Sequence, residues 1–95
     1  MTLEEIKDIL LRQKMTLKDK FKVSSIAVFG SYSRGEQNTE SDIDIMVDFY
    51  EPIGIEFIDL ADTLEKALHK KVDLVSKKGI KPNLMKYINN ELIYV

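Results

Sequence analysis

The sequence contains no cysteine. That absence excludes disulfides and thiolate metal sites and is compatible with a cytoplasmic setting. No apolar run approaches the roughly 18 residues that a bilayer-spanning helix needs. Met1 to Lys14 carries charges throughout, unlike the apolar stretch of a signal peptide. No membrane association is expected. A basic excess is missing too: the formal net charge is -2, which argues against direct nucleic-acid binding through phosphate contacts. No repeat, linker or low-complexity segment interrupts the chain. Its 95 residues, with 44% hydrophobic content, predict a single domain over 1–95, near the lower size limit for a core without staples.

Charge of one sign is also absent locally. From Glu36 to Glu65 there are ten acids and no Lys or Arg, whereas Lys66 to Lys86 holds seven lysines and one acid, Asp73. Such segregation can mark a surface for a charged partner. Acids early and lysines late in a helix also suit the macrodipole, and Asp62 with Lys66 makes an i,i+4 pair, which accounts for much of the pattern.

Periodicity supplies the elements. Thr2 followed by Glu5 forms a capping-box pattern, and Leu3, Ile6, Leu10 and Leu17 fall on one stripe, so an amphipathic helix reaches about Lys20. Val23 to Phe29 is β-branched and apolar, which predicts a strand covered on both faces. Ser31 to Arg34 reads as a short helical turn stopped by Gly35. Asp42 to Phe49 is a second strand, whose alternation sends Ile43, Ile45 and Val47 one way and Asp42, Asp44, Met46 and Asp48 the other. After a turn at Pro52 and Gly54, a helix over 55–70 buries Ile58, Ala61, Leu64 and Leu68. Lys71 to Ser76 is a third strand. Pro82 opens a last helix to about Asn90 with Leu84, Ile88 and Tyr87 inward, and the terminal "LIYV" offers a short edge strand. This order predicts an α/β (α+β) sandwich, a small mixed sheet of three or four strands packed against helices.

The second strand raises the chemical question. Asp42 and Asp44, two apart on one face, would repel each other in a half-buried setting unless cations neutralise them. Hard oxygen ligands with no nearby His or Cys point to Mg²⁺ or Mn²⁺ rather than zinc. Asp73 is the candidate third ligand, because it stands in the apolar strand "VDLV", where a charge has no packing purpose. Asp48 lies about 13 Å beyond Asp44 at 3.3 Å per residue, too far to share a metal. Gly30 and Ser31 end one strand where a helical turn begins, so free amides and a hydroxyl can face a phosphate. Arg34, one turn later, could contact that phosphate or a partner. Tyr32 beside this cradle leaves nucleotide-facing and packing roles open, and His69 suits a helix C-terminus. The competing reading, a solvated face of an edge strand, explains Asp42 and Asp44 but leaves Asp73, Gly30 and Ser31 unexplained.

Phe29-Gly30-Ser31, a ten-residue spacer, Asp42-Ile43-Asp44 between aliphatics, and Asp73 on a later strand together resemble the nucleotidyltransferase superfamily typified by DNA polymerase beta. The resemblance is to its minimal (MNT) branch and covers essentially the whole chain. It implies a polymerase beta-like fold in which Asp42 and Asp44 hold two Mg²⁺ ions (Mn²⁺ being possible), Asp73 holds the ion beside the attacking hydroxyl, and Gly30 and Ser31 hold the triphosphate. It implies attack of a hydroxyl on the α-phosphate of a nucleotide, with ATP the expected donor. Larger relatives carry further domains for their acceptors, so a small acceptor or a self-presenting protein is expected here. Minimal members pair with HEPN-domain RNase toxins, which implies an antitoxin that transfers AMP to a toxin tyrosine. Two alternatives are an antitoxin acting by contact alone and a small-molecule nucleotidyltransferase.

Overall fold

In the computed structural model, which describes residues 1–95, Thr2 opens helix α1 (Leu3–Phe21) with a complete capping box. Its hydroxyl accepts from the Glu5 amide at 3.2 Å, and the Glu5 carboxylate accepts from the Thr2 amide at 3.1 Å. The helix continues unbroken to Lys22, whose left-handed conformation ends it. Strand β1 (Val23–Phe29), the short helix α2 (Ser31–Arg34), strand β2 (Ile43–Phe49), helix α3 (Glu56–Leu68), strand β3 (Val72–Ser76), helix α4 (Pro82–Ile88) and strand β4 (Ile93–Tyr94) follow. The four strands form one sheet in the order β3-β2-β1-β4. β1 runs antiparallel to both β2 and β4, while β2 and β3 are parallel, with α3 as the crossover that parallel pairing requires. The mixed sheet of the sequence reading is therefore present, including the edge strand from "LIYV".

One face of the sheet carries the main core. Ile43, Ile45 and Val47 of β2 meet Ile6, Leu10, Leu17 and Phe21 of α1 and Leu60, Leu64 and Leu68 of α3. On β1, Val23, Ile26 and Val28 all join this cluster although Val23 and Ile26 differ in parity. An irregularity between Val23 and Ser25 inserts the extra residue that turns Val23 inward. Ala27 and Met46, register partners on the opposite face, are buried outside that cluster, as is Ile88 of α4.

Two helices differ from the sequence reading. On α3 the buried stripe is Leu60, Leu64 and Leu68, whereas Ile58 is 71% exposed and Ala61 only half-buried. The segment offers two apolar stripes, and at 100° per residue Ile58 projects away from the three leucines that meet the sheet. On α4, Leu84 and Tyr87 face solvent, Tyr87 at 81% exposure, and only Ile88 is buried. This seven-residue helix ends at Ile88, and a 3-10 turn over Asn89–Glu91 carries the chain into β4. The Asp62–Lys66 pair forms at 2.9 Å on an exposed helix face, where such a pair adds little stability.

Candidate active site

Two strand registers assemble the site. The antiparallel ladder sets Phe29 opposite Asp44, so Gly30, the next residue, meets the Asp44 side chain; the parallel ladder sets Asp73 opposite Asp44. Residues distant in sequence therefore converge at the end of β1 and the starts of β2 and β3. Asp44 shares the parity of Met46, so it projects from the sheet face opposite the main core.

Gly30 shows how closely these groups approach. Its backbone lies at φ 74, ψ -152, a region open to glycine alone. A Cβ there would stand 2.9 Å from Asp44 Cγ and overlap the carboxylate oxygen. Ser31, half-buried, is the first residue of α2, and Gly35 ends that turn in the left-handed conformation as the sequence indicated.

The acids form a pair and a neighbour. Asp44 is half-buried and its carboxyl is raised from 3.8 to about 6. Desolvation is the main cause, followed by the charge of Asp73, a hydrogen bond that protonated Asp44 makes with Asp73, and the charge of Asp42; Arg34 works in the opposite direction. Asp42 is exposed and precedes the first residue of β2, so the ladder does not hold it in register. No three acidic side chains stand together as a ready-made cation cage. Of the three carboxylates expected to converge, Asp44 and Asp73 come together, while Asp42 reaches Asp44 only through its charge. This donor set fits a hard divalent cation: the oxygens are close enough to repel, and the glycine cradle keeps the approach to Asp44 free of a side chain.

Arg34 is engaged within the chain. Its Nη1 donates to Glu91 Oε2 at 2.8 Å and its Nε to Glu36 Oε1 at 2.8 Å, and Glu91 first, then Glu36, raise its pKa. Glu91 is the residue that the sequence reading missed. Its Oε1 accepts from the Gly30 amide at 3.3 Å, and its backbone carbonyl accepts from Ser33 Oγ. The only signal was an acid directly ahead of the last apolar run. Tyr32 belongs to packing, being 2% exposed within the main core. His69 is exposed and caps α3 in the left-handed conformation. Asp48 stands near the far end of β2, where its Oδ1 accepts from the Phe49 amide at 3.0 Å.

Residues 10–95 match the nucleotidyltransferase domain family. The chain is 57% identical to a Methanocaldococcus jannaschii protein provisionally named a protein adenylyltransferase, over 99% of this chain and 98% of that one. It is 47% identical to the protein adenylyltransferase MntA of Thermococcus cleftensis, over 100% of this chain and 97% of that one. A solved structure described provisionally as a minimal nucleotidyltransferase superposes with a TM-score of 0.76 at 30% identity, covering 98% of this chain and 95% of that chain. A toxin-antitoxin structure with AMP-PNP aligns with a TM-score of 0.72 at 31% identity, over 87% of this chain and 69% of that one. The complex of a tri-AMPylated Shewanella oneidensis HEPN toxin with an MNT antitoxin aligns with a TM-score of 0.69 at 27% identity, over 94% and 70%. A family match over residues 10–95, relatives alike along nearly their whole length and a shared sheet place the chain in the nucleotidyltransferase domain family, as a nucleotide-transferring enzyme with the minimal polymerase beta-like fold.

Proposed function

We propose that this protein is an antitoxin that transfers AMP from ATP to a tyrosine hydroxyl of a HEPN-domain RNase toxin. The observation that carries the reading is the Asp44–Asp73 pair set in register beside the Gly30–Ser31 turn. Its relatives' names and the AMPylated toxin held by a structural neighbour support the same reaction and acceptor. The AMP-PNP complex of another neighbour supports an adenine nucleotide as donor.

Asp42, Asp44 and Asp73 would hold two Mg²⁺ ions, with Mn²⁺ as the alternative. Bound there, such ions lower the pKa of the attacking hydroxyl and neutralise the departing pyrophosphate. The Ser31 amide and hydroxyl orient the triphosphate, with Gly30 admitting the nucleotide close to Asp44. A bond forms between the tyrosine oxygen and the α-phosphorus as the bond to the β-phosphate bridging oxygen breaks; pyrophosphate leaves and the hydroxyl proton passes to solvent. Residues 1–95 act as one catalytic unit to which the toxin brings its own acceptor. The cytoplasm, where ATP and Mg²⁺ are abundant, is the compartment this chemistry fits.

The test uses α-labelled ATP, Mg²⁺ and the HEPN protein that co-purifies with this chain. Label should appear on the partner with wild type and vanish with the Asp42→Asn, Asp44→Asn double variant. Transfer by that variant would sink the assignment of the acids. A wild type that silences the toxin stoichiometrically without labelling it would establish contact alone as the mechanism.

A further inference from the structure

We infer that Glu91 is a positioning residue for nucleotide binding: its carboxylate bridges the Gly30 amide and the Arg34 guanidinium and so fixes the turn that meets the triphosphate. The inference rests on the reading above, in which the Gly30–Ser31 turn is the phosphate site. Three anchors meet on this one residue. Oε1 accepts from the Gly30 amide at 3.3 Å, Oε2 accepts from Arg34 Nη1 at 2.8 Å, and the backbone carbonyl accepts from Ser33 Oγ. The Glu91 side chain is only 19% exposed, so its bonds to Arg34 and Gly30 are less screened than those of a surface pair.

The turn needs such an outside support. α2 has four residues, and its cap, Gly30, makes no side-chain capping bond. Glycine also places the weakest intrinsic restraint on its own backbone. Glu91 reaches the turn because the 3-10 turn Asn89–Glu91 leads into β4, which pairs with β1 at Ala27 and Val28, just short of Gly30. Arg34 is held on its other edge by Glu36 at 2.8 Å. The guanidinium, held between two carboxylates, serves the nucleotide through the turn it braces. Removing Glu91 releases the Gly30 amide and Arg34 together, so ordering the turn becomes part of nucleotide binding and affinity falls. Asp44 and Asp73 are held by the β1–β2 and β2–β3 ladders, in which Glu91 takes no part, so turnover of bound nucleotide falls far less than affinity.

The experiment compares wild type with Glu91→Ala, Glu91→Gln, Arg34→Ala and the Arg34→Ala, Glu91→Ala double variant. It measures the Kd of Mg-AMP-PNP by calorimetry, and KM and kcat for AMP transfer. Glu91→Ala should weaken AMP-PNP binding and raise the ATP KM about tenfold with kcat within about twofold of wild type. Glu91→Gln, which keeps the acceptor for Gly30 but loses the charge facing Arg34, should fall between the two. The double variant should bind no worse than Glu91→Ala alone, because Arg34 acts on the turn through its contact with Glu91. In amide NMR spectra the Gly30 resonance should move strongly in Glu91→Ala and weakly in Glu91→Gln. A fall in kcat that tracks the folded fraction, with Kd and KM unchanged, would overturn the inference in favour of a structural role. Tighter AMP-PNP binding by Glu91→Ala would overturn it as well, by making Glu91 a competitor of the triphosphate. Wild type that binds AMP-PNP but transfers no AMP would count against adenylyl transfer alone, and the ratio of Kd values would still decide the role of Glu91.

Discussion

Asp44→Asn probes the electrostatics of the acid pair directly. In the folded protein the Asp44 carboxyl is raised from 3.8 to about 6, mainly by desolvation and then by Asp73. The folded state thus holds this proton more tightly than the unfolded state. Ionising Asp44 therefore destabilises the fold progressively as pH rises from about 4 to about 6, and the effect is constant above that window. For a fully buried group such a shift would amount to about 3 kcal/mol at about 1.36 kcal/mol per pH unit. Asp44 is open to water on one side, and screening reduces this to about 1 kcal/mol. Asparagine keeps the shape and removes the charge. In EDTA near neutral pH, Asp44→Asn should therefore be more stable than wild type by about 1 kcal/mol, or roughly 4–8 °C in Tm for a domain of this size. The two proteins should converge below about pH 4, where wild type is protonated in both states. Excess Mg²⁺ should raise the Tm of wild type by binding only its folded form, and leave the variant unchanged. Thermal unfolding followed by circular dichroism across this pH range, with EDTA and with Mg²⁺, makes the measurement. A variant that melts below wild type in EDTA at neutral pH, or whose advantage persists undiminished at pH 4, would refute the electrostatic account.

Other substitutions separate the parts of the site. Gly30→Ala forces a Cβ into the Asp44 carboxylate at a positive φ of 74; it should destabilise by about 1–3 kcal/mol and reduce AMP transfer at least about 100-fold, as read by denaturant unfolding and label incorporation. Ser31→Ala should raise the ATP KM several-fold without a change in unfolding midpoint, since it removes one hydroxyl from the turn proposed to hold the triphosphate and nothing from the core. Leu64→Ala empties a fully buried position between α3 and the sheet. It should lower unfolding stability by about 2–5 kcal/mol, with KM unchanged in the fraction that remains folded.

Local patterns made most of the elements legible. Thr2 and Glu5 announced the start of α1, and the β-branched run Val23 to Phe29 and the Asp-Ile-Asp alternation announced β1 and β2 within a residue of their observed ends. Asp73 was legible because a charge inside "VDLV" has no packing role, and the parallel register then set it opposite Asp44. The misreadings share a physical cause. Ile58, Leu84 and Tyr87 are apolar residues on helices whose buried face is chosen by the sheet they dock against, and helix periodicity alone cannot rank two competing stripes. Glu91 was invisible for a related reason. Its partners Gly30, Ser33 and Arg34 lie 57 to 61 residues away in sequence, and only the return of the chain as β4 beside β1 brings them together.

The strand order carries one more consequence. β2 lies in the interior of the sheet, flanked on both sides, whereas β3 is an edge strand with one neighbour. Asp44 is therefore mounted on the stiff centre of the sheet and Asp73 on its softer rim. Fraying of β3 would therefore displace Asp73 while Asp44 kept its place, because β1 still pairs with β2 through Phe29.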